Sequence, residues 1–247
     1  MTDKLLRKAG YTSEEGSMDY ELKITKEQTK FNEWFYSKFK PYLNGDILEV
    51  GSGIGTFSEK IIKDFGGEIY LTEIDPIFLK ELKKQFKEKR VRVKKLDLNN
   101  KKDFEKINKK FDSILCSNVL EHIKNDALAL KLFKQILKPG GRIIIYVPCH
   151  KFLFCDLDTA EGHYRRYTKK ELEEKAKITG FKIRKASWFN FFGIPTRFLV
   201  GNIMKAKKTP ANSFRLYNQM IPIFRFIEEK ILFNCAGVGR IVVLEKT

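Results

Sequence analysis

The chain has 247 residues, with 43% hydrophobic and 32% charged side chains, which is enough apolar material for one α/β domain and excludes wholesale disorder. Its longest uncharged stretch runs only from Ala186 to Thr196, and the polar start Met1-Thr-Asp-Lys has no apolar signal core. These features predict neither a secreted nor a membrane-spanning protein. Four cysteines, Cys116, Cys149, Cys155 and Cys235, form no C-x-x-C pair and no zinc spacing with histidine, so reduced thiols and a cytoplasmic protein are expected. The 48 Lys and Arg against 31 Asp and Glu leave a net charge of +17. From Phe181 to the end the balance is +9, with eleven aromatic residues interleaved, which suggests an anionic partner or surface.

In chain order, residues 25–39 place Phe31, Trp34, Phe35 and Phe39 at helical spacing. Short apolar runs at 46–50, 68–73, 91–95, 111–117 and 141–148 then alternate with amphipathic segments at 56–64, 77–87 and 127–137. That alternation predicts a mostly parallel sheet covered by helices on both faces. Thr168-Lys-Lys-Glu171 spells a capping box that opens a helix to about residue 178. Strands are predicted at 181–192 and 239–245, separated by an insertion of nearly fifty residues with helical patches at 195–207 and 213–233.

The densest signal is Ile47-Leu-Glu-Val-Gly-Ser-Gly-Ile-Gly-Thr56, a buried strand that carries the acidic Glu49 and runs into alternating glycines before a helix. Glycine permits a tight turn and lets backbone N–H groups approach a ligand. A dinucleotide loop of the form G-x-G-x-x-G would need glycine at Thr56 instead of Gly55. Glu49 would repel a pyrophosphate and attract an ammonium group, so the expected ligand is zwitterionic. Glu73 closes the second strand, twenty-two residues after Gly51, where a carboxylate accepts from ribose hydroxyls. Asp97-Leu98 offers an acceptor and an apolar face suited to adenine. Ser117-Asn118-Val-Leu-Glu-His-Ile123 follows the fourth strand.

Together, ILEVGSGIG, LTEIDP, KLDLNN, FDSILCSNVLEHI and LKPGGRIIIYVP resemble the successive motifs of class I S-adenosylmethionine-dependent methyltransferases, over residues 45–148. The resemblance implies a Rossmann-like seven-stranded sheet whose last strand is antiparallel and lies beside the sixth, with S-adenosylmethionine as cofactor. It assigns Glu49 and the loop of Gly51, Ser52, Gly53 and Gly55 to the methionine portion, Glu73 to the ribose, and Ile74, Asp97 and Leu98 to the adenine; Asn118 is added as a cofactor contact. The expected organisation is a helical cap at 1–44, a cofactor-binding core at 45–150, and a region at 151–247 holding the substrate loop, the last strands and the insertion, all within one domain.

Methyl transfer from a sulfonium is an in-line displacement that needs positioning and, for a hydroxyl acceptor, a base. No metal is expected. The substrate loop holds His163 as a proton acceptor, Arg165 and Arg166 as an anion clamp, and Tyr164 and Tyr167 as pocket walls. A similar G-H-x-R-R-Y-T run occurs in methyltransferases of this class that act on small molecules and lipid-linked saccharides, so such an acceptor, methylated on oxygen, is the leading expectation. His122 is a second, weaker base candidate. An RNA methyltransferase using the basic-aromatic C-terminal region is the alternative, with nucleic acid the less favoured partner because no Asn/Asp-Pro-Pro-aromatic run follows the fourth strand. The insertion at 193–208, apolar with a lysine-rich end, predicts peripheral contact with a membrane.

Overall fold

The computed structural model describes residues 25–206 and 211–247. The first twenty-four residues of the expected cap, and Lys207 and Lys208, therefore lie outside the described residues. Seven strands form one sheet in the order β3-β2-β1-β4-β5-β7-β6. They are β1 Ile47–Val50, β2 Ile69–Glu73, β3 Val91–Lys95, β4 Phe111–Ser117, β5 Leu137–Pro148, β6 Phe181–Phe189 and β7 Gly239–Lys246. β1 to β5 pair in parallel, and β7 runs antiparallel between β5 and β6. The seven-stranded, mostly parallel sheet with an antiparallel last strand is the expected architecture.

Helices α1 Thr29–Phe39, α2 Ser58–Asp64, α3 Pro76–Gln85, α4 Lys101–Glu105, α5 Asp126–Ile136, α6 Asp156–Ala160 and α7 Lys169–Ile178 cover the sheet. Their starts follow local chemistry. Asp75 caps α3 by accepting from Ile77 N at 2.7 Å, with Pro76 in the first turn, and Asn125 caps α5 through Leu128 N. The capping box at α7 forms as predicted, since Glu171 N donates to Thr168 Oγ1 and Thr168 N to Glu171 Oε2.

The insertion comprises α8 Gly193–Arg197, continued by a wider π turn over Phe198–Ile203, and α9 Ala211–Phe226, continued by a second π turn over Ile227–Ile231. β6 stops at Phe189, three residues before the predicted end. Asn190 takes a left-handed φ of 67°, and the Asn190 and Phe191 amides donate to the buried Glu228 carboxylate instead of extending the strand.

Both faces of the sheet are packed. On one face, Phe133, Ile136, Phe104 and Ile123 meet the central strands. On the other, Trp34, Phe35 and Phe39 of α1 do so, with Phe189 stacked on Phe35 at 4.9 Å and tilted against Trp34 at 4.5 Å. Phe189 thus fastens the N-terminal helix to the sheet beside the insertion. Phe189→Ala is expected to cost about 3–5 kcal/mol of stability, measured as a shift of the urea midpoint; a loss below 1 kcal/mol would show that α1 is held by other contacts.

Candidate active site

β1 is buried throughout and delivers the chain at its carboxyl end into the glycine loop. Gly51, Gly53 and Gly55 have φ values of 68°, 53° and 79°. A Cβ at Gly51 would lie 2.5 Å from the Val119 side chain, and one at Gly55 would lie 2.8 Å from Phe86, so side chains are excluded by space as well as by φ. The loop is tied to β2 by Ser52 N to Thr72 O at 2.9 Å and Gly53 N to Glu73 Oε2 at 2.8 Å. The other Glu73 oxygen accepts from Ile74 N and Asp75 N. Burial nonetheless pushes the Glu73 carboxyl above its usual value.

Glu49 sits behind this loop, where its carboxylate accepts from the Ser52 and Ser58 hydroxyls. Burial raises its pKa to about 7 despite those two donors. Asp97 forms a turn by accepting from Asn99 N at 2.8 Å, while Leu98 is buried behind the end of β3. Asn118, at φ 52°, donates its N–H to Tyr146 O and turns the chain out of β4.

These strand ends open into a cavity of about 480 Å3, a size suited to a cofactor plus a small group. Its lining includes Gly51, Gly53, Glu73, Ile74, Leu98 and Asn118, at the carboxyl ends of β1 to β4. Glu49, Ser52, Gly55 and Asp97 stand outside its wall, so their support of a ligand is indirect or requires a local shift. The same cavity is also lined by Phe31 and Phe35 of α1, Tyr146, Val238, and Asn190, Arg197 and Tyr217 at the insertion, together with His122, Glu161, His163 and Arg166.

The loop expected to carry the chemistry divides in two. His163 and Arg166 face the cavity, whereas Tyr164, Arg165 and Tyr167 are absent from its lining. Tyr167 is fully buried, its hydroxyl donating to Asp126 Oδ2 at 2.7 Å and lying 3.1 Å from Leu120 O. Arg165 bonds the same Asp126 carboxylate and Lys124 O, and Lys175 completes the group. Residues 165 and 167 share one side of an extended segment bridged to Cys149, which leaves 166 on the other. The Tyr164 ring lies under Lys124 Nζ at 5.3 Å. Arg165 and Tyr167 are thus anchors, not clamp and wall.

Arg166 is no open clamp either, since its Nε donates to Asp158 Oδ1 at 2.8 Å and its Nη1 to Cys149 O. Asp158 has no exposed surface. It also accepts from Cys155 N, pairs with His163 Nδ1 at 2.9 Å, and lies 3.0 Å from Arg197 Nη2. Burial alone would raise its carboxyl. The His163 bond and the Arg197 and Arg166 charges override burial and hold it well below the usual carboxylate range. His163 moves the other way: burial opposes its charged form, but Asp158, Glu161 and Glu121 together favour it. Burial and the adjacent His163 lower His122 to about 3, even though His122 bonds the Gly162 backbone. Glu121 is fully buried, neither carboxylate oxygen has a hydrogen-bond partner, and burial pushes its pKa up to about 7.

Asp158, Glu161, Glu121 and Arg197 were not among the sequence candidates. The only local signal was the density of acids in Asp156-Leu-Asp-Thr-Ala-Glu161 just before a His-x-Arg-Arg run; Arg197 has no local signal at all.

The Glu49 environment yields a signed pH dependence. Its native pKa of about 7 lies above the ordinary 4.5, so the folded chain binds more protons than the unfolded one between those values and stability falls as pH rises through that window. Glu49→Gln should unfold at the same denaturant concentration as wild type near pH 5 and gain about 2–3 kcal/mol relative to it near pH 8. Parallel curves at the two pH values would show that Glu49 ionises freely in the native state.

Residues 48–143 match the family model of the methyltransferase domain. Among solved structures, a SAM-dependent methyltransferase from Archaeoglobus fulgidus superposes with a TM-score of 0.60 at 18% identity, over 90% of this chain and 94% of that one. An S-adenosylmethionine-dependent methyltransferase from Mesorhizobium loti gives 0.61 at 13%, over 86% and 98%. The phosphoethanolamine N-methyltransferase 2 of Haemonchus contortus, in complex with S-adenosyl-L-methionine, gives 0.55 at 20%, over 87% of this chain and 52% of that one. No curated protein matches this sequence at a significant level. The motif series, the seven-stranded sheet and the glycine-loop cavity agree with the domain match: residues 48–143 carry a methyltransferase domain, within the fold shared by S-adenosylmethionine-dependent methyltransferases.

Proposed function

We propose that the enzyme methylates an oxygen of a small-molecule or lipid-linked acceptor. The observation that carries this reading is the cavity wall beside the insertion. There, apolar surface from Phe31, Phe35, Leu157, Val200 and Val238 stands next to the polar groups of His122, Glu161, His163, Asn190 and Arg197, a mixture suited to an acceptor with an apolar body and a polar reacting end. At the strand ends, Glu73 accepts from the ribose hydroxyls, the glycine loop backed by Glu49 takes the methionine portion, and Ile74 and Leu98 flank the adenine, with Asp97 beside them. The acceptor oxygen attacks the sulfonium methyl in line, its proton is lost, and the C–S bond breaks to release S-adenosylhomocysteine.

His122, kept neutral by burial, and Glu161 both line the acceptor part and are the groups placed to take that proton. Arg197 takes over the role expected of Arg165. It lines the cavity, and its Nε is buried without a hydrogen-bond partner, a donor left for an anionic or hydroxyl group of the acceptor. The Haemonchus contortus neighbour acts on phosphoethanolamine, a small phosphorylated acceptor, which is consistent in size though its methyl goes to nitrogen.

A lipid-linked acceptor suits the outer face of the insertion. Phe198, Leu199, Ile203 and Met204 are exposed there, beside exposed Phe152, and Asn202 Nδ2 bonds Phe152 O. No helix among the described residues is long and apolar enough to cross a membrane, so contact through this patch is peripheral. Leu199→Ser with Ile203→Ser should abolish flotation with anionic vesicles and leave cofactor affinity unchanged; flotation that persists in the double variant would move the contact elsewhere.

Two further measurements test the reading. Glu73→Ala should weaken S-adenosylmethionine binding in titration calorimetry by ~1.5–3 kcal/mol, the usual worth of hydrogen bonds to a charged group. An unchanged affinity would remove the ribose role. Incubation with methyl-labelled cofactor, total lipid extract and total RNA should place label in an alkali-stable ether or an ester of the lipid fraction or its small-molecule wash. Label in RNA would replace this reading with the nucleic-acid one.

A further inference from the structure

The Glu121 carboxylate is fully buried, and neither oxygen has a hydrogen-bond partner. A carboxylate removed from water without a partner costs several kcal/mol, so the fold retains here a group that lacks its counterpart. Two imidazoles flank it. The His122 and His163 rings meet edge to face with centroids 4.7 Å apart. One donor atom from each of Glu121, His122 and His163 lies within 4.8 Å of the others.

Each histidine also has an outer contact that fixes its ring. His163 Nδ1 is held by Asp158 Oδ1 at 2.9 Å, and His122 bonds the Gly162 backbone. The second nitrogen of His163, Nε2, lies 3.3 Å from Glu161 Oε2, and each ring keeps a nitrogen within reach of the Glu121 carboxylate. A metal-bound histidine almost always bonds a carboxylate or a backbone carbonyl through its second nitrogen, and both forms occur here. We infer that Glu121, His122 and His163 form a binding site for one divalent first-row transition cation, Zn2+ being the best match, at the acceptor part of the cavity.

Two imidazoles and one carboxylate favour such an ion over Mg2+ or Ca2+, which prefer all-oxygen shells. Glu161 pairs with Arg197 Nη1 through Oε1 at 3.0 Å, while its Oε2 lies 3.3 Å from His163 Nε2 and is the oxygen near enough to supply a fourth donor. The overlapping trio of Asp158, Glu161 and His163 is the poorer site, because the Asp158 oxygens already pair with Arg166, Arg197 and His163, whereas both Glu121 oxygens are without a partner. His122, His163 and Glu161 line the cavity, so the ion has an entry path and an open position toward an incoming acceptor. The sequence expectation of no metal rested on spacing along the chain. The two histidines are forty-one positions apart and meet only through the fold.

The site stands on this geometry alone; only its use in catalysis rests on the methyl-transfer reading. In that use His122 and Glu161 serve the metal-free enzyme as proton acceptors and the loaded enzyme as ligands. The bound ion would hold the acceptor oxygen and lower its pKa, the hydroxyl proton would pass to solvent, the oxygen pair would form the new O–CH3 bond, and the C–S bond would break to leave S-adenosylhomocysteine.

The test uses tag-free, chelator-treated full-length protein titrated with ZnCl2, MnCl2 and MgCl2. Wild type should bind one equivalent of Zn2+, at least ~10-fold more tightly than Mn2+, with Mg2+ weaker still. Glu121→Gln should stay folded by circular dichroism, since it removes an unpaired buried charge, and should lose more than the ~100-fold in Zn2+ affinity that an outer contact can cost. His122→Asn serves as the second variant. Absence of Zn2+ binding by wild type, or full retention by both variants, overturns the site. S-adenosylmethionine titrated into the same samples reads the cofactor site separately, so a failure of either is distinguishable from a failure of the other.

Discussion

Asp158 is a carboxylate with no exposed surface, and the cavity wall beside the insertion is assembled around it. An isolated buried charge of this kind is untenable, so its partners are obligatory, and removing one from such a group typically costs 3–5 kcal/mol. Those partners come from three places. Cys155 N and His163 belong to its own segment, Arg166 carries the link on to Cys149 O at the end of β5, and Arg197 reaches in from the insertion. One carboxylate therefore fixes the His163 ring, the floor of the cavity and its lid in a single arrangement.

The sheet explains why these pieces can meet. β1 to β5 are parallel and present their carboxyl ends on one edge, with the order reversing between β1 and β4, the position where open α/β sheets form a ligand crevice. β6 points the same way as β5, because both are antiparallel to β7. The insertion leaves the end of β6 and returns at the start of β7, so both of its attachments lie on the ligand edge. Glu228 secures the exit by taking the Asn190 and Phe191 amides. α1 closes the cavity from the side through Phe31 and Phe35, with Phe31 N bonded to Asn218 of α9.

Legibility in the sequence followed the range of the interactions. The strands, the glycine loop, Glu73 and the Thr168 capping box are specified by neighbours in the chain and formed at the expected positions, except that β5 begins at Leu137, four residues before its predicted run, and β6 ends at Phe189, three residues short. α4 and α6, five residues each, are too short for a 3.6-residue period to register. In the run from His163 to Tyr167 the residue types marked a site, but their roles depend on partners far away: Tyr167 and Arg165 turn toward Asp126, roughly forty residues back. Arg197 and the unpaired Glu121 were invisible for the same reason. Nothing local distinguishes a glutamate that will be stripped of water from one on a surface.

The division of the cavity into a cofactor part and an acceptor part is the claim on which the functional reading turns, and a crystal structure with S-adenosylhomocysteine bound tests it directly. The ribose hydroxyls should lie on the Glu73 carboxylate, with the sulfur facing the volume bounded by His163, Arg197 and Tyr146. A nucleoside seated against the insertion, or a sulfur directed away from that volume, would contradict the division.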